Sequence, residues 1–313
     1  MGGAFGGLDK IPAEIQRDSA AYVGPAKAIM ATNVKDFVYP HWVCGNFVQT
    51  RASNTAVVNA TTFKEFLAAV DPAAKKPVLA AMWGNTGLGE FYADAYLDVH
   101  GPDNTRRHLI ALSNGKTELD ADAKNAVLAL IKELTLEIQS NLSHYYNHSY
   151  FFPRQFATMP AATMIGYSER LYYTERELQL TPNNYPPILK PEDVVIKQFC
   201  FGAKSQGTPS WIDGFVIPKG RLAKKHAAIV AFLQFIQGDD AYLVFAEPAQ
   251  YFAPSYLLPA TRDSYDKDSE IVKKQPMLPK FHAALSDTFP VANSKVWQGM
   301  RTAGSKLKKI IDP

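Results

Sequence analysis

The sequence predicts an α/β fold, built as one large domain or as two lobes, and three observations carry that reading. Short apolar segments that read as strands alternate with amphipathic segments that read as helices. The chain has 313 residues, 47% of them hydrophobic, enough to bury a sizeable core. The apolar run Pro77 to Trp83 ends in Gly84-Asn85-Thr86-Gly87 ahead of a helical pattern. That places a glycine turn at a strand's carboxyl end, where open α/β sheets bind their ligands.

Taken in order, residues 26 to 31 and 37 to 49 read as extended, and Thr61 or Thr62 caps a short helix, Phe63 to Val70. After the glycine turn, a helix over Leu88 to His100 sets Leu88, Phe91, Tyr92, Ala95, Tyr96 and Val99 on one side. A longer amphipathic helix spans Ala121 to Ser140, apolar at Val127, Leu130, Ile131, Leu134 and Ile138. An aromatic-rich stretch from Tyr145 to Phe152 precedes a strand over Ala162 to Gly166, after which Ser168 can cap a helix. Thr181 to Pro191 holds four prolines and reads as a surface loop. Strands follow at Val194 to Phe201 and Trp211 to Ile217. The last third reads as helices over Leu222 to Gln237, Asp239 to Ala246, Ile271 to Asp287 and Ser294 to Ile311.

Composition narrows the function. The 33 basic and 30 acidic residues are well mixed, so no basic stripe points to nucleic acid. Lys306, Lys308 and Lys309 suit the end of a helix, where they complement its dipole. No apolar run reaches the ~18 residues of a membrane span. Met1 to Gly7 has neither the basic nor the apolar region of a signal peptide, and Gly6 stands where a myristoylation motif needs Ser or Thr, so the compartment stays open. Two cysteines, Cys44 and Cys200, make no disulfide framework beyond one optional bridge, and no Cys or His spacing suits zinc. His144 and His148 form the one i, i+4 histidine pair, without the glutamate of a metalloprotease helix. Sequons at Asn59, Asn141 and Asn147 mean little without a secretory signal. No cofactor is expected, and the oligomeric state is left unknown.

The residue that invites chemistry is Cys44, in Tyr39-Pro40-His41-Trp42-Val43-Cys44-Gly45-Asn46-Phe47. Small and polar neighbours just after an apolar segment suit a reactive sulfur, although a buried cysteine serves equally as a small hydrophobe. Glu169 can be a base for it or an ordinary first-turn glutamate. Asp213, between Ile212 and Gly214-Phe215-Val216, is an acid inside a strand and needs a partner, either a ligand amine or a protein group. Tyr150, Tyr167, Trp83 and Trp211 can stack on a flat heterocycle or fill a core. A cysteine-histidine hydrolase would have to use His41 or a distant histidine, and residues three apart on an extended segment point to opposite faces.

The segment Phe215-Val216-Ile217-Pro218-Lys219-Gly220 with the helix that follows, and Trp83-Gly84 before Phe91-Tyr92, are similar to bacterial extracellular solute-binding proteins. Within that group the chain resembles thiaminase I, thiamine pyridinylase, in Pro40-His41-Trp42-Val43-Cys44-Gly45-Asn46-Phe47, Gly166-Tyr167-Ser168-Glu169 and Trp211-Ile212-Asp213-Gly214. The resemblance implies an α/β, two-lobed periplasmic-binding-protein-like (type 2) fold with a cleft between lobes. It implies a first lobe of residues 1–48 plus 215–313, incomplete at its N-terminus relative to the family, and a second lobe of residues 49–214. It further implies a nucleophile at Cys44, a base at Glu169, an aromatic wall at Tyr167 and an aminopyrimidine contact at Asp213. Trp211 stands where the family commonly has tyrosine. The expected partner is a small heterocyclic molecule, cleaved covalently or, on the competing reading, only bound. The family address is secreted or periplasmic.

Overall fold

The computed structural model describes residues 6–61, 63–70, 78–80, 85–133, 156–157, 159, 161–172, 174–175, 189–198, 207–246, 256–285, 288–292 and 294–311. The strands are β1 (Leu8–Asp9), β2 (Tyr39–Gly45), β3 (Phe47–Arg51), β4 (Val78–Ala80), β5 (Thr163–Gly166), β6 (Val194–Gln198), β7 (Pro209–Phe215), β8 (Ile217–Pro218), β9 (Leu258–Pro259) and β10 (Phe289–Pro290). The α-helices are α1 (Gly24–Met30), α2 (Thr55–Asn59), α3 (Phe63–Ala69), α4 (Asn85–Ser113), α5 (Ala121–Glu133), α6 (Leu222–Ile236), α7 (Asp239–Ala246), α8 (Glu270–Lys274), α9 (Leu278–Ala284) and α10 (Ser294–Ile311).

Among the described residues, two four-stranded sheets organise the fold. One runs β10-β7-β2-β9, with β2 antiparallel to both neighbours and β10 parallel to β7. The other runs β4-β5-β3-β6, with β3 antiparallel to both neighbours and β4 parallel to β5. The chain steps from the first sheet to the second at Asn46, the single residue between β2 and β3. One apolar cluster joins the two, with Val43 from the first and Phe47, Val48, Met164 and Ile165 from the second. A smaller one gathers Ile11, Ile15 and Tyr39 against Ile217, Leu233 and Ile236.

Local chemistry explains several element ends. Asp9 on β1 accepts from the amides of Gly220 and Leu222, both at 2.9 Å, so a carboxylate satisfies free donors at the start of α6. At the start of α3 the amide and hydroxyl of Thr61 both donate to Glu65, at 2.8 and 3.0 Å. Gly214 faces the carbonyl of Tyr39 so closely that a Cβ would stand 2.5 Å from it, which lets β7 lie against β2. Gly89 on α4 and Gly299 on α10 meet the backbones of Met300 and Leu109 respectively, so the two helices approach with no side chain between them.

Three expectations are corrected. Residues 26 to 31 were expected to be extended, yet they lie mostly in α1: Pro25 in its first turn starts a helix that Ala26, Lys27, Ala28 and Met30 favour. The single helix over Ile271 to Asp287 is two, because Pro276 disfavours helical backbone at Gln275, which sits at φ −128° and ψ 73°. The helix ending at His100 resumes after a break at Gly101 (φ 75°, ψ 171°), with Pro102 starting the second segment, and reaches Ser113. The remaining strands and helices stand near their expected places where described. Trp83, His144, His148, Tyr150, Cys200 and the loop from Thr181 to Ile188 lie outside the described residues. Among those described, no helix is long and apolar enough to cross a membrane.

Candidate active site

In the antiparallel pair β2 and β7, Trp42 stands opposite Asp213 and Cys44 opposite Trp211. Opposed residues share a face and alternate residues return to it, so Trp42, Cys44, Trp211 and Asp213 lie on one side of the sheet. Val43 and Ile212 take the other side, and Val43 is buried there. On the shared face the Cys44 thiol donates to Asp213 Oδ2 at 3.4 Å, across the diagonal of the ladder. Asp213 is exposed, so its carboxylate can turn to solvent or to a ligand.

The second sheet delivers the other half of the site. Phe47 pairs with Gly166 as the last rung of β3 against β5. Past that rung the chain leaves β5 at Tyr167 and turns through Ser168 and Glu169, near enough to Cys44 for the charge of Glu169 to act on the thiol. Buried Gln49 fixes the turn by donating from Nε2 to the Tyr167 carbonyl at 3.1 Å. The Tyr167 ring meets Trp211 edge-on, with centroids 5.6 Å apart, and Trp211 packs against Trp297 of α10 at 4.7 Å. Strands from both sheets and the C-terminal helix thus wall one place.

Glu90 of α4 completes it, buried among these groups. Its Oε1 accepts from the Tyr167 hydroxyl at 2.8 Å, and its Oε2 meets the Asn46 amide nitrogen. Burial pushes the Glu90 pKa up to about 8 against the lowering pull of those two contacts, with the charge of Glu169 adding to the rise. Asn46 Oδ1, on the other side of the same amide, is buried with no hydrogen-bond partner.

The thiol is held in its neutral form. Burial raises the Cys44 pKa well above the ordinary cysteine value, and the charges of Asp213, Glu169 and Glu90 raise it further, as does the hydrogen bond to Asp213. Glu169 is also raised, by burial first and by Asp213, with Arg170 opposing. His41 sits at the irregular step of β2 between Pro40 and Trp42, its ring 3.8 Å from that of Trp42 and 5.4 Å from that of Phe215. Burial lowers its pKa to about 4.

The structure therefore brings Cys44, Glu169, Tyr167, Asp213 and Trp211 to one locality, while Trp83 and Tyr150 lie outside the described residues. Sequence reasoning missed Glu90, Asn46 and Trp297. The one signal for Glu90 was a lone acid inside Leu88-Gly89-Glu90-Phe91-Tyr92. Among the described residues no group of three His, Cys, Asp or Glu side chains is arranged to hold a metal.

No protein-family model matches the sequence, and no curated protein matches it significantly. Solved structures do. The chain superposes on Clostridium botulinum thiaminase I in complex with thiamin with a TM-score of 0.71 at 18% identity, over 98% of this chain and 82% of that one. For thiaminase I from Bacillus thiaminolyticus the TM-score is 0.66 at 16% identity, over 98% and 80%. For a chitin oligosaccharide binding protein it is 0.60 at 14% identity, over 98% and 78%. The fold is the two-lobed solute-binding fold. It is the α/β architecture, with its cleft between lobes, that enzymes and sugar receptors both use, so function has to be argued from the site.

Proposed function

We propose that this protein is a thiaminase-I-like transferase that cleaves thiamine or a related heteroaromatic cation, with Cys44 as nucleophile and Glu169 as base. The observation that carries the reading is a thiol on a strand face, bonded to Asp213, beside half-buried Glu169 and an edge of Tyr167 and Trp211. Three carboxyl groups around the thiol make a site that opposes a lone thiolate. A ring bearing positive charge reverses that balance, because opposite charge in a poorly solvated site favours ionised sulfur.

Asp213 is the thiol's partner while the cleft is open, and it turns to an exocyclic amine of the substrate on binding. Glu169, whose pKa burial raises above the ordinary glutamate value and so makes a stronger base, takes the thiol proton. The thiolate adds to the substituted pyrimidine ring, and collapse of the adduct expels the thiazole with the electron pair of the broken carbon–nitrogen bond. The pyrimidine half stays on Cys44 until an amine or thiol displaces it, which gives ping-pong kinetics.

Intact-mass measurement after incubation with thiamine and no acceptor tests this. The expected result is a mass gain of the pyrimidine half on Cys44, cleared when an amine or thiol is added. A non-catalytic binder is the second reading, favoured by the resting thiol's raised pKa. Thiamine that binds without an adduct decides for it, and no binding at all rejects thiamine as ligand.

A further inference from the structure

Helix α6 carries an apolar stripe on the wrong side. Its inner face buries Leu233 and Ile236 against Ile11, Ile15 and Tyr39. On its outer face Ala227, Ala228, Ala231, Phe232 and Phe235 are exposed, with Phe232 at 49% and Phe235 at 61% of full exposure. Exposed Val216 and Val244, on the neighbouring segments, add to the apolar surface. A solvated helix face ordinarily carries charged residues at such positions. Here the charges stand only at the ends: Lys224 and Lys225 in the first turn, Asp239 and Asp240 just past the last, all exposed.

That pattern is complementary to itself. Laid antiparallel on a copy of the helix about an axis between Ala231 and Phe232, Ala231 meets Phe232 and Ala228 meets Phe235. The same operation brings the basic first turn, with Lys224 and Lys225, toward the acidic start of α7, with Asp239 and Asp240. Small faces large twice, and cation faces anion, under one twofold axis, which is what an isologous interface requires. The backbone leaves helical geometry at Lys225 (φ −140°, ψ 31°), so Lys224 sits in a separate first turn.

We propose that two copies of this chain associate through the outer faces of α6, antiparallel and twofold symmetric. A partner of unrelated sequence has no reason to match the stripe and both charged ends at once; a second copy does.

Light scattering coupled to size exclusion, over a concentration series, tests the pairing. The wild-type mass should rise from 34.6 kDa toward twice that value. Ala231→Glu, which sets two like charges beside the axis at an exposed position, should hold the mass at the monomer throughout. Lys224→Glu alone and Asp239→Lys alone should each associate less than wild type, since like charges then meet at both ends. An equimolar mixture of those two variants should recover the dimer, because every end contact in the mixed pair again joins opposite charges. A wild-type chain that stays monomeric at about 1 mM, the weak end of measurable association, overturns the proposal. So does an Ala231→Glu variant that dimerises as well as wild type, or a mixture no more associated than its components.

Discussion

Asp9 and Glu90 each collect two hydrogen bonds, and their acidities move in opposite directions. Asp9 is half-buried at the start of α6, still in reach of water, and the amides of Gly220 and Leu222 hold its pKa below the ordinary aspartate value. Glu90 sits beneath the β2–β3 crossing, and burial carries its pKa up to about 8 although Tyr167 and Asn46 pull the other way. The difference teaches that loss of water outweighs two good contacts when the carboxyl is fully enclosed. An acid that keeps its water and has two donors is an anchor. An enclosed one keeps a proton.

The largest expected effect bears on the buried side of this comparison. Cys44→Ser should abolish the thiamine adduct and lower turnover by roughly 10³-fold or more, as loss of a covalent nucleophile does. Turnover within tenfold of wild type would separate the enclosed acids from any covalent chemistry. Next comes Asp213→Asn, which removes a charge and the thiol's acceptor together. Iodoacetamide should then label Cys44 faster at pH 7, each unit of lowered thiol pKa giving about tenfold more thiolate. An unchanged rate would mean that burial alone holds the thiol neutral.

Glu90→Gln sharpens the contrast by pH. With its folded pKa raised, Glu90 contributes stability that is full below the ordinary glutamate range and lost as pH rises through about 8. The variant should therefore gain melting temperature over wild type at pH 8.5 and little at pH 4. Parallel melting curves for the two proteins across that range would refute an enclosed neutral acid. The smallest effect is for Asp9→Asn. Its folded pKa is lowered, so its contribution is present above the ordinary aspartate range and lost as pH falls through the folded value. A modest drop in melting temperature at pH 7, shrinking toward pH 3, is expected by calorimetry.

These two acids also mark what the sequence makes legible. Cys44, Glu169 and Asp213 stand in short motifs with unusual neighbours, and the structure gathers all three in one locality. Glu90 comes from a helix whose apolar periodicity hides two enclosed carboxyls, Glu90 and Asp94, and its partners, Asn46 and Tyr167, are set by the register of β3 on β5. Pairing across more than a hundred residues leaves no local mark. The thiol's contact with Asp213 has the same origin, since β2 and β7 meet across 169 positions. Helix α1 was misread for a nearer reason: Gly24-Pro25 signals a helix start as readily as a turn, and the short apolar run after it fits strand or helix.

Trp297 packs at a tilt against Trp211, and Gly299 two residues on seats α10 against α4, which carries Glu90. A ribosome extrudes those two residues after every other part of the site. During synthesis Cys44 emerges well before the indole and helix that help to enclose it. The nascent thiol thus stays open for that whole interval, and its final surroundings form only when residues 294–311 have left the exit tunnel.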